Sequence, residues 1–333
     1  MFKSKSFNRR EFLGKSAALA GAAVAPFGMV GCAQTAVLAP GQSERFTVGL
    51  DGQMRMRAIP GTDEFLPIVG LGAPDSFTTL NEQGKQLPIS LVETMMKAGG
   101  KMIDAPAWFR QGPTDPAIGQ ILTEMGVQND LFLTGKITVN GKQEGIAHIE
   151  RISRYLNKNP MDCLLVHNMR DMDAHWPTLK QWKAEGKVRY IGVSRTRTTD
   201  FSALENFMRT EKPDFLLIGY SITQQGPEER ILPLAADIGT AVIGAEAFKA
   251  SDDGAFFKVV AGKKLPEWAA EFDCESWAQF SLKWILSNPA MTTVVTETSK
   301  TKNVIDNMRG GYGRLPDQAT RKRMSDYLLS LGV

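Results

Sequence analysis

The stretch "LFLTGKITVNGKQEGIAHIERISRYLNKNPMDCLLVHN" (residues 131–168) begins and ends on short apolar runs, "LFLTGKI" (131–137) and "DCLLVHN" (162–168). Between them, "GIAHIERISRYLN" (145–157) repeats its apolar residues at helical spacing. Runs this short and this rich in Leu, Ile and Val are what parallel strands covered on both faces require, so the stretch reads as strand, helix, strand. The same alternation extends in both directions. Upstream lie "IVGLG" (68–72) with "LPISLVETMMKAGG" (87–100), and "KMIDA" (101–105) with "DPAIGQILTEMG" (115–126). Downstream, "WPTLKQWKAEG" (176–186) completes the fourth unit, and "VRYIGVS" (188–194), "DFLLIGYS" (214–221), "AVIGAEAF" (241–248) and "MTTVVTET" (291–298) each precede a further helical segment.

Eight strand-helix units between residues 46 and 333 predict an α/β fold of the (β/α)8 TIM-barrel type. A doubly wound sheet is the competing architecture. It would place a Gly-rich turn after its first strand, but "GLGAPD" (70–75) has only Gly70 and Gly72, so the dinucleotide fingerprint is missing. A further helix is expected over "DQATRKRMSDYLLSLG" (317–332), and "TVGLDGQMRMRAIP" (47–60) reads as a short hairpin plugging the bottom of the barrel.

The N-terminal region has a different composition. Lys3, Lys5, Arg9, Arg10 and Lys15 against Glu11 give residues 1–31 a charge of +4, which leaves −1 for the rest of a chain carrying +3. A near-neutral remainder has no electrostatic footprint for a phosphate backbone, so no nucleic-acid partner is expected. "FNRREFLGKSAALAGAAVAPFGMVGCAQ" (7–34) resembles a twin-arginine export signal, with Arg9, Arg10, Phe12 and Leu13 followed by an Ala/Gly-rich apolar run. Cys32 after "MVG" resembles a lipoprotein box, and either its acylation or cleavage by ordinary signal peptidase nearby is expected. The domain division is therefore a signal over 1–32, a flexible tether over 33–45 and a barrel over 46–333, with a periplasmic address and membrane contact only through the signal or a lipid on Cys32. Cys163 and Cys274 each open an apolar segment and are expected to be separate buried thiols.

In a barrel of this kind, chemistry sits at the carboxyl ends of the strands. Those ends carry Asp104, Lys136, His167, Ser194, Tyr220 and Glu246. Three successive strands bring a carboxylate, an ammonium and an imidazole to one rim, and a buried Asp-Lys pair beside a histidine is costly unless it serves a site.

These residues, with "LFLTGKI", "DCLLVHN", "GKVRYIGVS" (186–194), "GYSITQQGPEERILPLAADIGTAVI" (219–243) and "LKWILSNPAMTTVV" (282–295), resemble the aldo-keto reductases from about Met56 to Leu315. The resemblance implies an Asp, Tyr, Lys, His tetrad and reduction of a small carbonyl substrate by NADPH. Asp104, Lys136 and His167 match three members. Phe109, beside Trp108, stands where the tyrosine is expected, and no tyrosine lies between Asp104 and Lys136. Ser194 and Tyr220 match residues facing the nicotinamide, whereas Arg195 and Leu217 replace an asparagine and a glutamine there. Thr298, Ser299, Lys300 and Lys302 are expected to hold a 2′-phosphate, and Asn307 to face the adenine. Glu297 replaces part of a Pro-Gly turn near the pyrophosphate, and Glu246 replaces a serine or arginine. No metal site is expected, and the protein is expected to be a monomer. Two functions follow: an exported NADP(H)-dependent reductase with an altered site, or a redox-inactive barrel acting as a periplasmic binding or scaffold protein or as a cofactor-free proton-transfer enzyme.

Overall fold

The computed structural model describes residues 53–73, 77, 84–105, 114–196, 200–249 and 255–332. The segments expected to be an export signal (1–32) and a tether (33–45), and Trp108 and Phe109, lie outside these residues. Among the described residues no helix is long and apolar enough to cross a membrane.

An antiparallel hairpin, β1 (Met56–Ala58) and β2 (Phe65–Pro67), comes first. Eight parallel strands follow: β3 (Val69–Gly72), β4 (Met102–Asp104), β5 (Phe132–Ile137), β6 (Met161–Val166), β7 (Val188–Arg195), β8 (Phe215–Gly219), β9 (Ala241–Ala245) and β10 (Thr293–Glu297). They close in sequence order, β10 pairing with β3, so the fold is the expected (β/α)8 barrel. The described helices on its outside are α1 (Gln86–Lys97), α2 (Asp115–Met125), α3 (Lys142–Tyr155), α4 (Met172–Ala184), α5 (Ser202–Glu211), α6 (Ile231–Ile238), α7 (Ala255–Val259), α8 (Trp277–Leu286), α9 (Thr301–Arg309) and α10 (Gln318–Ser330). Local chemistry starts and stops several of them. Ser276 and Asp317 accept the backbone N–H groups of Gln279 and Thr320 at 3.1 and 2.8 Å, capping α8 and α10. Gly126 ends α2 in the left-handed conformation, φ 68°, that glycine adopts without strain.

The hairpin begins later than its sequence suggests. Its first arm falls within residues 47–60, but the second is "FLP" at 65–67. It does plug the barrel, because Ile59 and Leu66 join the interior cluster formed by Met102, Phe132, Cys163, Leu165, Phe215, Leu217, Ala241, Ile243 and Val295. Each large apolar side chain so buried contributes roughly 1.5–3 kcal/mol. Arg57 clamps the hairpin from below by donating to the carbonyls of Leu286, Asn288 and Met291, which precede β10. Between β9 and α8 the chain adds α7 and a 3-10 segment over Glu267–Phe272, neither of which the strand-helix alternation predicts.

Candidate active site

Side chains alternate across a strand, so one residue in two on each barrel strand points inward. On β5 these are Phe132, Thr134 and Lys136; Phe132 joins the interior cluster and Lys136 stands one step nearer the mouth than Thr134. On β4 the inward residue at the mouth is Asp104, in register with Thr134. The three close on one another. Asp104 Oδ1 accepts the Thr134 hydroxyl at 2.5 Å, and Asp104 Oδ2 pairs with Lys136 Nζ at 2.5 Å. Asp104 and Lys136 are each only 5% exposed. Two charges at that depth persist because each desolvation cost is offset by the other charge and, for Asp104, by the threonine. The expected contact between the second and third barrel strands is therefore present. Among the described residues Asp104 is the one hydrogen-bond partner of the Lys136 ammonium, which has three donors to give.

His167 follows β6, where the chain makes a single 3-10 turn over His167–Met169. Its Nδ1 lies 2.9 Å from Ser194 Oγ, at the end of β7. Its Nε2 lies 3.1 Å from Asn168 Nδ2. Ser194 Oγ also accepts the Asn168 backbone N–H at 3.0 Å. Asn168, Met169 and Asp171 all have positive φ, 50°, 56° and 48°. A non-glycine residue there costs on the order of 1–2 kcal/mol, and asparagine tolerates it best of the three types. Such local strain, held in place by surrounding hydrogen bonds, is a feature of functional loops.

Beneath this rim Cys163 is fully buried, and burial raises its thiol well above the ordinary range. Cys274 is buried between other elements and pushed up to about 12, also by burial. Both are free, as expected, and neither is a nucleophile in these surroundings.

The remaining predicted residues divide. Tyr220 does not join the mouth. It is fully buried in the outer layer, its ring 5.4 Å from Trp284, and its hydroxyl bonds Glu228 and receives Arg321. The alternation explains this placement: Phe215 and Leu217 of β8 point into the barrel, so Tyr220, at the opposite parity, points out. Its phenol is raised far above the ordinary range, chiefly by burial. Leu217 faces the interior and is 1% exposed. Asn307 is buried and donates to Thr296 Oγ1 at 3.1 Å. Thr298 Oγ1 accepts from the backbone N–H of Lys300 at 3.2 Å and from Asn303 Nδ2 at 3.1 Å, so it is tied to the turn that leads into α9. Ser299, Lys300 and Lys302 are exposed around that first turn, where the positive end of the helix and the ammonium groups favour an anion.

Two glycines at the mouth admit close neighbours. A Cβ on Gly219 would stand 2.4 Å from the Thr196 carbonyl oxygen and 3.0 Å from a Glu246 carboxylate oxygen, and one on Gly72 would stand 2.7 Å from Glu297 Cγ. Glu246 also pairs with Lys249 at 3.1 Å. Among the described residues no group of three metal-ligating side chains assembles.

Sequence reasoning missed Thr134 and Asn168. Thr134 was accessible through the period of two, since it lies on the same strand face as Lys136. Asn168 carried only its side-chain type at a strand end, and its role depends on a loop conformation that no periodicity encodes.

No curated protein matches the sequence significantly. An aldo-keto reductase of Bacillus halodurans in its holo form has the same fold, with a TM-score of 0.65 and 19% identity over 83% of this chain and 96% of its own. An aldo-keto reductase of Klebsiella pneumoniae in complex with NADPH gives 0.65 and 17% over 84% and 96%. Another structure from that organism, an aldo/keto reductase in complex with NADP and acetate, gives 0.65 and 20% over 80% and 94%. The family model itself matches residues 69–322, which take in every barrel strand and the whole rim just described, and the chain belongs to the aldo/keto reductase family.

Proposed function

We propose that the barrel binds NADP(H) at its mouth and reduces a small carbonyl compound through a site altered from that of its family. The observation that carries this reading is the buried Lys136 ammonium, held by Asp104 with donors to spare. An ammonium so placed stabilises negative charge developing on a carbonyl oxygen, in surroundings where water screens little of the interaction. Asp104 and Thr134 fix where that charge sits. Phe109 has no proton to give, so the proton that completes an alcohol comes from water polarised by Lys136.

The residues at the anionic end fit the cofactor: Ser299, Lys300 and Lys302 would hold a phosphate at the start of α9, where like groups bind by charge and by helix polarity. NADPH, when bound, supplies the hydride. At the nicotinamide end the departures gather, with Arg195, Leu217 and Glu297 in place of residues that the family uses there. Loose binding and slow turnover are the expected result.

Titration of the folded protein with NADPH and with NADP⁺, followed by tryptophan fluorescence, tests the reading. Saturable quenching that is lost in Lys300→Glu/Lys302→Glu supports it, and no response at millimolar cofactor overturns it. A second reading, a redox-inactive binding or scaffold barrel or a cofactor-free proton-transfer enzyme, is favoured by the outward placement of Tyr220, which leaves no described aromatic of β8 at the mouth. It predicts that null response.

We also propose that the protein is exported through the twin-arginine route to the periplasm, on the strength of Arg9-Arg10 and "MVGC". Arg9→Lys/Arg10→Lys should hold precursor in the cytoplasm. Unchanged export from cells lacking that translocase would refute the proposal.

A further inference from the structure

Asn168 uses every polar group it has. Its backbone N–H donates to Ser194 Oγ at 3.0 Å, and its carbonyl accepts from Arg195 Nη1 at 3.2 Å. Its side-chain Oδ1 accepts the backbone N–H of Thr196 at 3.1 Å and lies 3.4 Å from the Thr196 hydroxyl. Its Nδ2 faces His167 Nε2 at 3.1 Å. A backbone N–H can only donate, so the atom opposite Thr196 N must be the amide oxygen. The atom opposite His167 is then the amide nitrogen, which also can only donate.

That fixes the imidazole. Nε2 accepts from Asn168, so the proton of the neutral ring sits on Nδ1 and is given to Ser194 Oγ, whose two acceptor sites are filled by His167 and the Asn168 N–H. We infer that Asn168 is a positioning residue that holds His167 in the Nδ1–H tautomer, so that His167 cannot present a proton from Nε2. The segment Ser194, Arg195 and Thr196 completes the clamp, each of the three residues touching Asn168. Arg195, which stands where the family resemblance implies an asparagine on the nicotinamide, thus has an occupation in this chain that is visible in the structure. Gly219 makes room for it, because any side chain there would collide with the Thr196 carbonyl.

The consequence for chemistry deepens the proposed function and rests on it. Phenylalanine at position 109 has no proton to donate and His167 has its Nε2 lone pair engaged, so neither side chain is the acid of the proposed reaction, which falls to a water. The tautomer itself is independent of that reading and is present without cofactor or substrate.

The chain has three histidines, which makes the test direct. Long-range ¹⁵N–¹H correlation spectra of the uniformly labelled protein at neutral pH distinguish Nδ1–H from Nε2–H rings. His167, assigned by the signal missing in His167→Gln, should be Nδ1–H. His175, whose Nε2 lies 2.8 Å from the Val139 carbonyl, must donate and should be Nε2–H in the same spectrum. In Asn168→Asp the carboxylate can only accept, so the His167 proton should move to Nε2. In Asn168→Ala the preference should be lost, giving averaged signals. An unchanged His175 signal shows that the barrel is intact in either variant. An Nε2–H His167 in the unmodified protein, or an unchanged Nδ1–H signal in Asn168→Ala with His175 intact, overturns the inference. If a variant does not fold, the unmodified protein still decides. Absence of NADPH binding would sink the reductase reading and leave the tautomer standing, and the reverse outcome is equally separable.

Discussion

The barrel carries a buried ion pair at each end, and they are built differently. At the floor, Lys158 donates to the carbonyls of Gln128 and Leu131 at 2.8 and 2.6 Å and pairs with Asp162 at 2.9 Å. Asp162 in turn accepts the Leu133 N–H at 2.9 Å and Arg189 at 2.8 Å, and Arg189 reaches Glu64 of the hairpin loop. Tyr190 adds a bond to Glu64 at 2.8 Å. These charges are used up in joining strands to one another and to the plug. At the mouth, Lys136 has Asp104 alone among the described residues. Satisfied charges hold a fold together, while a buried charge with donors left over is available to a ligand.

Breaking the floor should have the largest effect. Asp162→Ala leaves the buried Lys158 without its counter-charge, takes one of two carboxylates from Arg189 and leaves the Leu133 N–H without its acceptor, and we expect a loss of about 3–5 kcal/mol in urea unfolding. A loss below about 1 kcal/mol would mean that the network is ornamental.

Next in size is the repair of the mouth. Phe109→Tyr alone should leave aldehyde reduction unchanged, because on the proposed reading Leu217 and Glu297 do not hold the nicotinamide in place and proximity is lost before acidity matters. Adding Leu217→Gln and Glu297→Gly should raise NADPH-dependent turnover by on the order of 10²-fold, the contribution of a positioned acid. Steady-state assays of the single and triple variants check this, and strong turnover by the unmodified protein would contradict it.

Tyr220→Phe should cost about 1.5 kcal/mol of stability, the worth of a bond to a charged partner, because the phenol serves Glu228 and Arg321 in the outer layer. Its NADPH titration should be unchanged. Weaker cofactor binding with full stability would return Tyr220 to the mouth.

The smallest effect on stability is the most telling for the comparison. Asp104→Leu/Lys136→Met removes both charges together, and such a replacement is commonly neutral or stabilising. We expect a melting curve at or above that of the unmodified protein, together with loss of reductase activity. The corresponding floor replacement, Asp162→Leu/Lys158→Met, should destabilise, since the Leu133 N–H and the carbonyls of Gln128 and Leu131 lose their partners.

The barrel was legible because its signal is repeated eight times. Each strand is a short apolar run, each helix an amphipathic one, and hydrophobic burial needs no more than that periodicity to choose a layer for every residue. The Asp104 and Lys136 contact was legible for the same reason: strand ends of adjacent units must meet at one rim. The period of two also pointed to Thr134, which went unread. Where the sequence reading failed, the cause was local. Tyr220 sits at a strand end like the others, but one residue of parity turns it out to Trp284 and Arg321. The extra segment of α7 and the 3-10 turn carries no strand-helix period and left no mark.

Sequence by itself therefore determined the fold class, the rim on which Asp104 and Lys136 lie and the pairing of that carboxylate with that ammonium, because these follow from periodicity and strand order. Only the tertiary structure decided which hydrogen bonds those groups make. The Asn168 clamp depends on left-handed backbone at three of four consecutive residues, Asn168, Met169 and Asp171, and on contacts from the end of β7 and the residue after it, 26–28 residues away along the chain. Directional bonds between groups so far apart in sequence are set by the closed barrel, which brings the ends of β6 and β7 side by side and leaves the intervening helix outside.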